Sequence, residues 1–237
     1  RIRERRLVSM AEMHLAGIEL ALTAENWSGS VTVRSGIDGR MVNAGAKLYL
    51  KFNNKHLEYL GGGLIGEDAL YLLVRTCQSN LCVAESAGTQ AFPGGETCGR
   101  RRCFIDELGS IAQELVVDLR AEESLSLEKI VSFYSSRDQA ISEPVVAARK
   151  ATGRAPRFED LLAAHVHAWR HLWRRFDIHL RPVPDGFQLN VSMLLRLNMF
   201  HLLQAVSPNS IGLDVGVPAR GWTGEAYQGL IFWDELC

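Results

Sequence analysis

IVSFYSSRDQAISEPVVAARKATGRAPRFEDLLAAHVHAWRHLWRRF, residues 130–176, is where the chain changes its period. Residues 130–134 read as a β-run of branched and aromatic side chains. From Phe158 the apolar positions recur as Leu161, Leu162, His165, Val166, Trp169, Leu172, Trp173 and Phe176. Those steps of three and four lay one amphipathic face along about five helical turns. Between the two runs, Glu143-Pro144 opens a shorter helix through about Thr152. Pro144 suits a first helical turn, where its missing N–H has no partner to lose. Gly153 and Pro156 close that helix.

On the N-terminal side, residues 1–138 read mostly as strands. Residues 18–23 alternate apolar and polar, and Val31-Thr32-Val33-Arg34-Ser35 does so again. Asp38-Gly39, ahead of Met41-Val42-Asn43, reads as a hairpin turn. Further β-runs follow at residues 46–52, 69–76, 81–85 and 114–120, and Gly61-Gly62-Gly63 and Pro93-Gly94-Gly95 read as loops without phosphate-loop spacing. Short strands with such punctuation predict an antiparallel β-sandwich. On the C-terminal side, Pro182, Pro184 and Gly186 make a break. Met193, Leu194, Leu197, Phe200, His201 and Leu203 then mark another helix ending near Ser207-Pro208. The order is strands, a helical connector, and the start of a helical domain.

The 237 residues, 47% hydrophobic and 22% charged, suffice for a large core. A formal net charge of −1 gives no general attraction to nucleic acid or anionic membrane. The basic clusters Arg1-Ile2-Arg3-Glu4-Arg5-Arg6 and Arg100-Arg101-Arg102 read as solvated loop or strand-edge charge. No run approaches the roughly 18 apolar residues needed to span a bilayer. Five cysteines, Cys77, Cys82, Cys98, Cys103 and Cys237, form no disulfide framework, so a reducing, cytoplasmic setting is expected. The chain begins at Arg1 rather than Met, which leaves the native N-terminus open.

Metal and nucleophile signals are weak. Cys98-x4-Cys103 has no second pair at finger-like spacing. His167 and His171 lie one turn apart, but Ala168 stands where a zinc metalloprotease needs Glu. His165 falls on the apolar stripe and reads as a packed, hydrogen-bonded histidine, and Trp169 and Trp173 read as core. There is no Gly-x-Ser-x-Gly. No metal and no cofactor are expected.

The closing stretch, IGLDVGVPARGWTGEAYQGLIFWDELC (211–237), differs. It sets Trp222, Tyr227, Phe232 and Trp233 among Arg220, Glu225, Asp234 and Glu235. Aromatic faces pack on the C–H surface of a sugar ring while charged groups bond its hydroxyls, the composition of a small polar-ligand pocket. The carboxylates could form an acid/base pair for glycoside chemistry, or they could anchor loops and cap helices.

Residues 217–227 (VPARGWTGEAY) followed by 229–235 (GLIFWDE) resemble the signature of glycoside hydrolase family 65, the family of maltose, trehalose, kojibiose and nigerose phosphorylases and some trehalases. The likeness extends upstream through Glu25-Asn26-Trp27-Ser28-Gly29, Asp38-Gly39-Arg40-Met41-Val42-Asn43, Leu127-Glu128-Lys129-Ile130-Val131, the residue 161–178 helix, and Phe200-His201-Leu202-Leu203-Gln204. There are two departures from the pattern: Leu230 stands where the family usually has His, and the chain reads Leu236-Cys237 where the family usually has an aliphatic residue and then an aromatic.

The resemblance implies the later part of an N-terminal β-sandwich (1–138), a helical linker (139–180) and the truncated opening of an (α/α)6 catalytic barrel (181–237). It implies that Trp233 and Asp234 hold the non-reducing glucose, with Arg220 and Glu235 alongside. The family's general-acid Glu and phosphate-binding residues would lie downstream, leaving no catalytic residue in this segment. The implied reaction is inverting phosphorolysis of an α-glucosyl disaccharide to β-glucose 1-phosphate and a free sugar. Inorganic phosphate is the co-substrate, and the parent enzyme is a homodimer. Three alternatives stay open: an α,α-trehalase of the same family, a non-catalytic carbohydrate-binding sandwich, and a structural sandwich that mediates dimerisation.

Overall fold

A computed structural model describes residues 1–42, 51, 53–94, 101–178, 180, 191–211 and 216–217. Among the described residues nine strands come first: β1 (Ile2–Val8), β2 (Leu15–Thr23), β3 (Gly29–Asp38), β4 (Leu57–Ile65), β5 (Ala69–Thr76), β6 (Cys82–Pro93), β7 (Arg101–Glu107), β8 (Ser110–Leu119) and β9 (Ser124–Ser135). Helices follow: α1 (Pro144–Arg154), α2 (Phe158–Phe176) and α3 (Val191–Ala205), then a 3-10 turn at Pro208–Ser210. The strands form a six-stranded sheet, β1-β2-β9-β6-β5-β4, and a three-stranded sheet, β3-β8-β7. Every pairing among the described residues is antiparallel.

The sheets face each other as a sandwich because alternate residues on both are apolar. One buried cluster gathers Ala91, Leu115, Val117, Leu119, Leu125 and Leu127. A second gathers Ile37, Leu70, Leu72, Val74, Ala87, Ile111 and Val131. Between them runs a polar layer, one residue from each of four strands, at the inward positions that separate the clusters. Ser35 pairs in register with Gln113, and Thr89 with Lys129. Across the gap, Ser35 Oγ and Thr89 Oγ1 share a hydrogen bond of 2.8 Å, and Lys129 Nζ donates to Gly36 O at 2.6 Å. Asp68 O, in the β4–β5 turn, accepts from both Gln113 Nε2 (3.3 Å) and the Thr89 N–H (2.9 Å). Burial pushes the Lys129 pKa down, opposed by the Glu85 charge, and burial pushes Glu85 up, opposed by Lys129.

The outer face of the six-stranded sheet carries the helices. Under α1 the residues are small: Ala84, Ser86, Ser132 and Ala148 are buried. Ser132 Oγ donates to Ala148 O at 2.8 Å, and Thr152 Oγ1 to Ser86 O at 3.2 Å. The start of α2 seats Phe158 and Leu161 against Leu15 and Ile130. Gly17 makes that possible, since a Cβ there would sit 3.0 Å from Phe158 Cδ2. Glu128, 5% exposed, accepts from Arg157 Nε (2.8 Å), Arg157 Nη2 (2.6 Å) and the Phe158 N–H (3.1 Å). Arg157 and the Phe158 amide hold its carboxyl below the usual range despite burial. Above Phe158, Arg5 bonds bidentately to Glu19 at 2.7 and 2.8 Å and also to Glu159, its guanidinium 5.1 Å from the Phe158 ring.

Several expectations change in detail. Gly61-Gly62-Gly63 is not a loop but part of β4, beside a register shift at Tyr59/Gly61. The Tyr71 ring lies over the strand there, 2.9 Å from where a Cβ of Gly63 would stand. Asp38-Gly39 does not turn a hairpin. The Gly39 N–H reaches Gly109 O at 2.8 Å, the partner of β3 is β8, and Val42 bridges to Lys55. The run at 46–52 lies outside the described residues apart from Lys51. The Arg-rich start forms β1, at one end of the sheet order, as strand-edge charge.

Thr89→Val keeps the shape of the side chain but orphans Ser35 Oγ, and is expected to cost about 2 kcal/mol in urea unfolding. The Ser35→Ala/Thr89→Val double variant should cost less than the sum of the single ones.

Candidate functional site

Arg220, Trp233, Asp234 and Glu235, with Glu225 and the remaining aromatics of the closing stretch, lie outside the described residues. The structure does describe the elements that lead into that stretch, and they converge on the β1–β2 turn. Ser9, 5% exposed, closes this turn: its Oγ accepts from the Ala11 N–H (3.2 Å) and the Glu12 N–H (3.0 Å), and its N–H reaches Leu15 O at 2.9 Å. Met10 is thereby presented to the helices.

The α2 helix brings His165 and Trp169. Its acidic first turn (Glu159, Asp160) and basic last turn (Arg174, Arg175) suit the helix dipole. The α3 helix brings Phe200 and Gln204, and the 3-10 turn brings Ser207 and Asn209. With Arg6 from β1 these residues line an open cavity of about 450 Å³. Its wall is aromatic: Trp169 lies 5.0 Å from Phe200 and 6.3 Å from Trp173, ring centre to ring centre, with His165 edge-on at 6.3 Å. Arg196 of α3 places its guanidinium 5.1 Å from the Trp173 ring and 3.3 Å from Asp177. Trp169 and Trp173 are half-buried, so they act as the contact between two helices rather than as deep core.

His165 is packed and hydrogen-bonded, as its place on the stripe predicts. The Met10 N–H donates to Nδ1 at 3.2 Å. Burial lowers the imidazole pKa, opposed by a bond to the Val8 backbone. His167 and His171 point to solvent. Among the described residues no three His, Cys, Asp or Glu side chains converge as a metal site. Cys77 and Cys103 are exposed free thiols, while Cys98 and Cys237 lie outside the described residues. Among the described residues no helix is long and apolar enough to cross a membrane.

Met10, Ser207 and Asn209 did not stand out in the sequence. Ser207-Pro208-Asn209 carries a local signal for a capped turn, and Ser207 Oγ does accept from the Asn209 N–H at 3.1 Å. The contribution of Met10 is largely backbone, which no side-chain pattern reveals.

Residues 1–172 match the profile of the glycosyl hydrolase family 65 N-terminal domain, and residues 196–237 match that of the family's central catalytic domain. The chain belongs to glycoside hydrolase family 65. An uncharacterised glycosyl hydrolase of Mycobacterium tuberculosis (strain H37Rv) is 33% identical over 233 residues, covering 98% of this chain and 17% of that protein. The kojibiose phosphorylase of Halothermothrix orenii is 26% identical over 97% of this chain and 29% of its own length. The α,α-trehalose phosphorylase of Thermoanaerobacter brockii is 26% identical over 99% of this chain and 30% of its own length. A solved structure from the human microbiome, assigned as a kojibiose phosphorylase, shares the fold with a TM-score of 0.69 at 17% identity, over 99% of this chain and 28% of that one. This family 65 chain thus spans less than a third of the length of these relatives.

Because the folded pKa of His165 is depressed, the neutral ring belongs to the folded state. Its contribution is complete above the ordinary value of about 6.5 and is lost as pH falls through the lower folded value. An NMR titration should place the His165 midpoint below about 6.5. His165→Gln should flatten the fall of melting temperature on acidification in that window.

Proposed function

We propose that this chain supplies the sandwich, linker and barrel-opening parts of an inverting disaccharide phosphorylase. The observation that carries the reading is the family 65 match in both regions in order, alongside kojibiose and trehalose phosphorylases that align with nearly the whole chain. On this reading residues 1–138 are the later part of the sandwich, 139–180 the linker and 181–237 the start of an (α/α)6 barrel. Trp233 lays its indole on the C–H face of the non-reducing glucose, and Asp234 accepts hydrogen bonds from its hydroxyls. Arg220 and Glu235 flank that subsite.

The chemistry follows from what the substrates bring. A general-acid Glu downstream of this segment protonates the glycosidic oxygen. Phosphate attacks the anomeric carbon from the opposite face, the C–O bond to the leaving sugar breaks, and β-glucose 1-phosphate forms. An inverting hydrolase needs a second carboxylate to activate water; phosphate arrives already anionic, so no such base is required. The carboxylates of this segment therefore serve binding.

The test is to incubate the full-length enzyme with kojibiose, trehalose or maltose, with and without inorganic phosphate, and to assign the products by NMR. Phosphate-dependent release of β-glucose 1-phosphate is expected. Equal glucose release without phosphate would overturn phosphorolysis in favour of trehalase-type hydrolysis. Asp234→Ala should lower kcat/KM by about 10²-fold, the scale of losing two charge-assisted hydrogen bonds. Residues 1–237 alone should show no turnover.

A further inference from the structure

The helices leave part of the outer face of the six-stranded sheet uncovered. Side chains on that face form cross-strand rows. Tyr71, Ser86 and Ser132 make the row under α1, Ala69, Gly88 and Ile130 the next, and Gln90 and Glu128 the one after. The α1 helix ends at Arg154, close to the second row: a Cβ on Gly88 would sit 3.2 Å from Thr152 Cγ2. The chain then turns through Ala155-Pro156-Arg157 into α2. Between the end of α1, this turn and the last two rows lies a cavity of about 430 Å³. Small-molecule sites occupy about 300–1,000 Å³.

The floor of the cavity is apolar, made by Ala69, Gly88 and Ile130. Its walls carry hydrogen-bonding groups of both senses. Arg149 of α1 supplies a donor; its guanidinium lies 5.7 Å from the Tyr71 ring and has no ion-pair partner among the described residues. Gln90 is exposed and adds an amide, which both donates and accepts. Asp68 is an acceptor, whereas the Glu128 carboxylate is engaged by Arg157 and the Phe158 N–H. At Gly153 the rim is the carboxyl end of α1, the negative pole of the helix dipole. An anion would meet two carboxylates and that pole, with Arg149 alone to offset them. A neutral ring bearing hydroxyls suits every group: its C–H face lies on the apolar row, while its hydroxyls accept from Arg149, bond Gln90 in either sense and donate to Asp68.

We infer that this cavity is a binding site for a neutral monosaccharide of the glucose class. The inference stands on the described residues and does not depend on the proposed phosphorolysis.

Hydrogen exchange by mass spectrometry on the full-length protein, with glucose as the probe, localises the contact. Added glucose should slow exchange in peptides covering 86–91 and 149–157 and leave β8 unchanged. Arg149→Gln should raise the midpoint of that titration about tenfold, the scale of one hydrogen bond to a charged group. Gly153 is exposed and a Cβ there would meet no atom within 4 Å, so a bulky side chain can stand at the rim without a clash. Gly153→Phe should abolish the protection and Gly153→Ala should keep it, both with wild-type circular dichroism. Unchanged exchange in these peptides on adding glucose would overturn the inference, as would protection that survives both Arg149→Gln and Gly153→Phe. Protection by inorganic phosphate instead of glucose would overturn it in favour of an anion held by Arg149 and Arg157.

Discussion

The sandwich depends on a layer of polar side chains lying between its two apolar clusters. Alternating hydrophobicity tells a strand which face to bury, and a slip of one residue would turn that face outward. It does not reject a slip of two, which returns every apolar residue to the inside. Ser35, Thr89, Gln113 and Lys129 reject that slip as well, because two steps along β3 would set the Ser35 hydroxyl against Leu115 or Ile111, and two along β6 would set that of Thr89 against Leu127 or Val131. Buried polar groups that meet their partners only in one alignment convert a permissive pattern into a single register. The bonds from Lys129 to Gly36 O and from Ser35 to Thr89 also join the two sheets directly.

With the register of β9 fixed, its outer face becomes a fixed platform. Glu128 and Ile130 lie on that face, next in line to the inward Lys129. Glu128 takes the first amide of α2 and the guanidinium of Arg157, and Ile130 packs on Phe158. The direction of α2 therefore follows from the pairing of a strand. That direction carries Trp169 to Phe200, and with it α3. A chain of contacts runs from the middle of the sandwich to the stretch matching the catalytic domain of family 65, and each step is a named pair of residues.

How much of this could be read from the sequence varies by element, for physical reasons. The β5 strand is found at residues 69–76 as expected, because its alternation is clean and one face is buried. The α2 helix runs from Phe158 to Phe176, as its apolar stripe and the preceding Pro156 require. The strands β1, β4 and β7 lack a clean alternation: β1 is dominated by arginine, β4 contains three consecutive glycines, and β7 carries charge at both ends. The polar layer was also illegible, since Ser35 at the end of Val31-Thr32-Val33-Arg34-Ser35 looks like a strand leaving the core. The roles proposed for Trp233 and Asp234 rest on the family resemblance, beside the aromatic and charged composition of residues 211–237. The tie at Met10 was invisible because it is made of peptide groups.

The irregularity in β4 has a bearing on how copies of this protein behave in a crowded solution. This strand ends the order of the six-stranded sheet among the described residues, and its register shifts between Tyr59 and Gly61. A flat strand at that place would present an even row of amides and carbonyls to any passing extended chain. The register shift breaks the row, and the adjoining glycines offer no side chains for a second strand to pack upon. Growth of the sheet by edge-to-edge addition is thereby discouraged at that side.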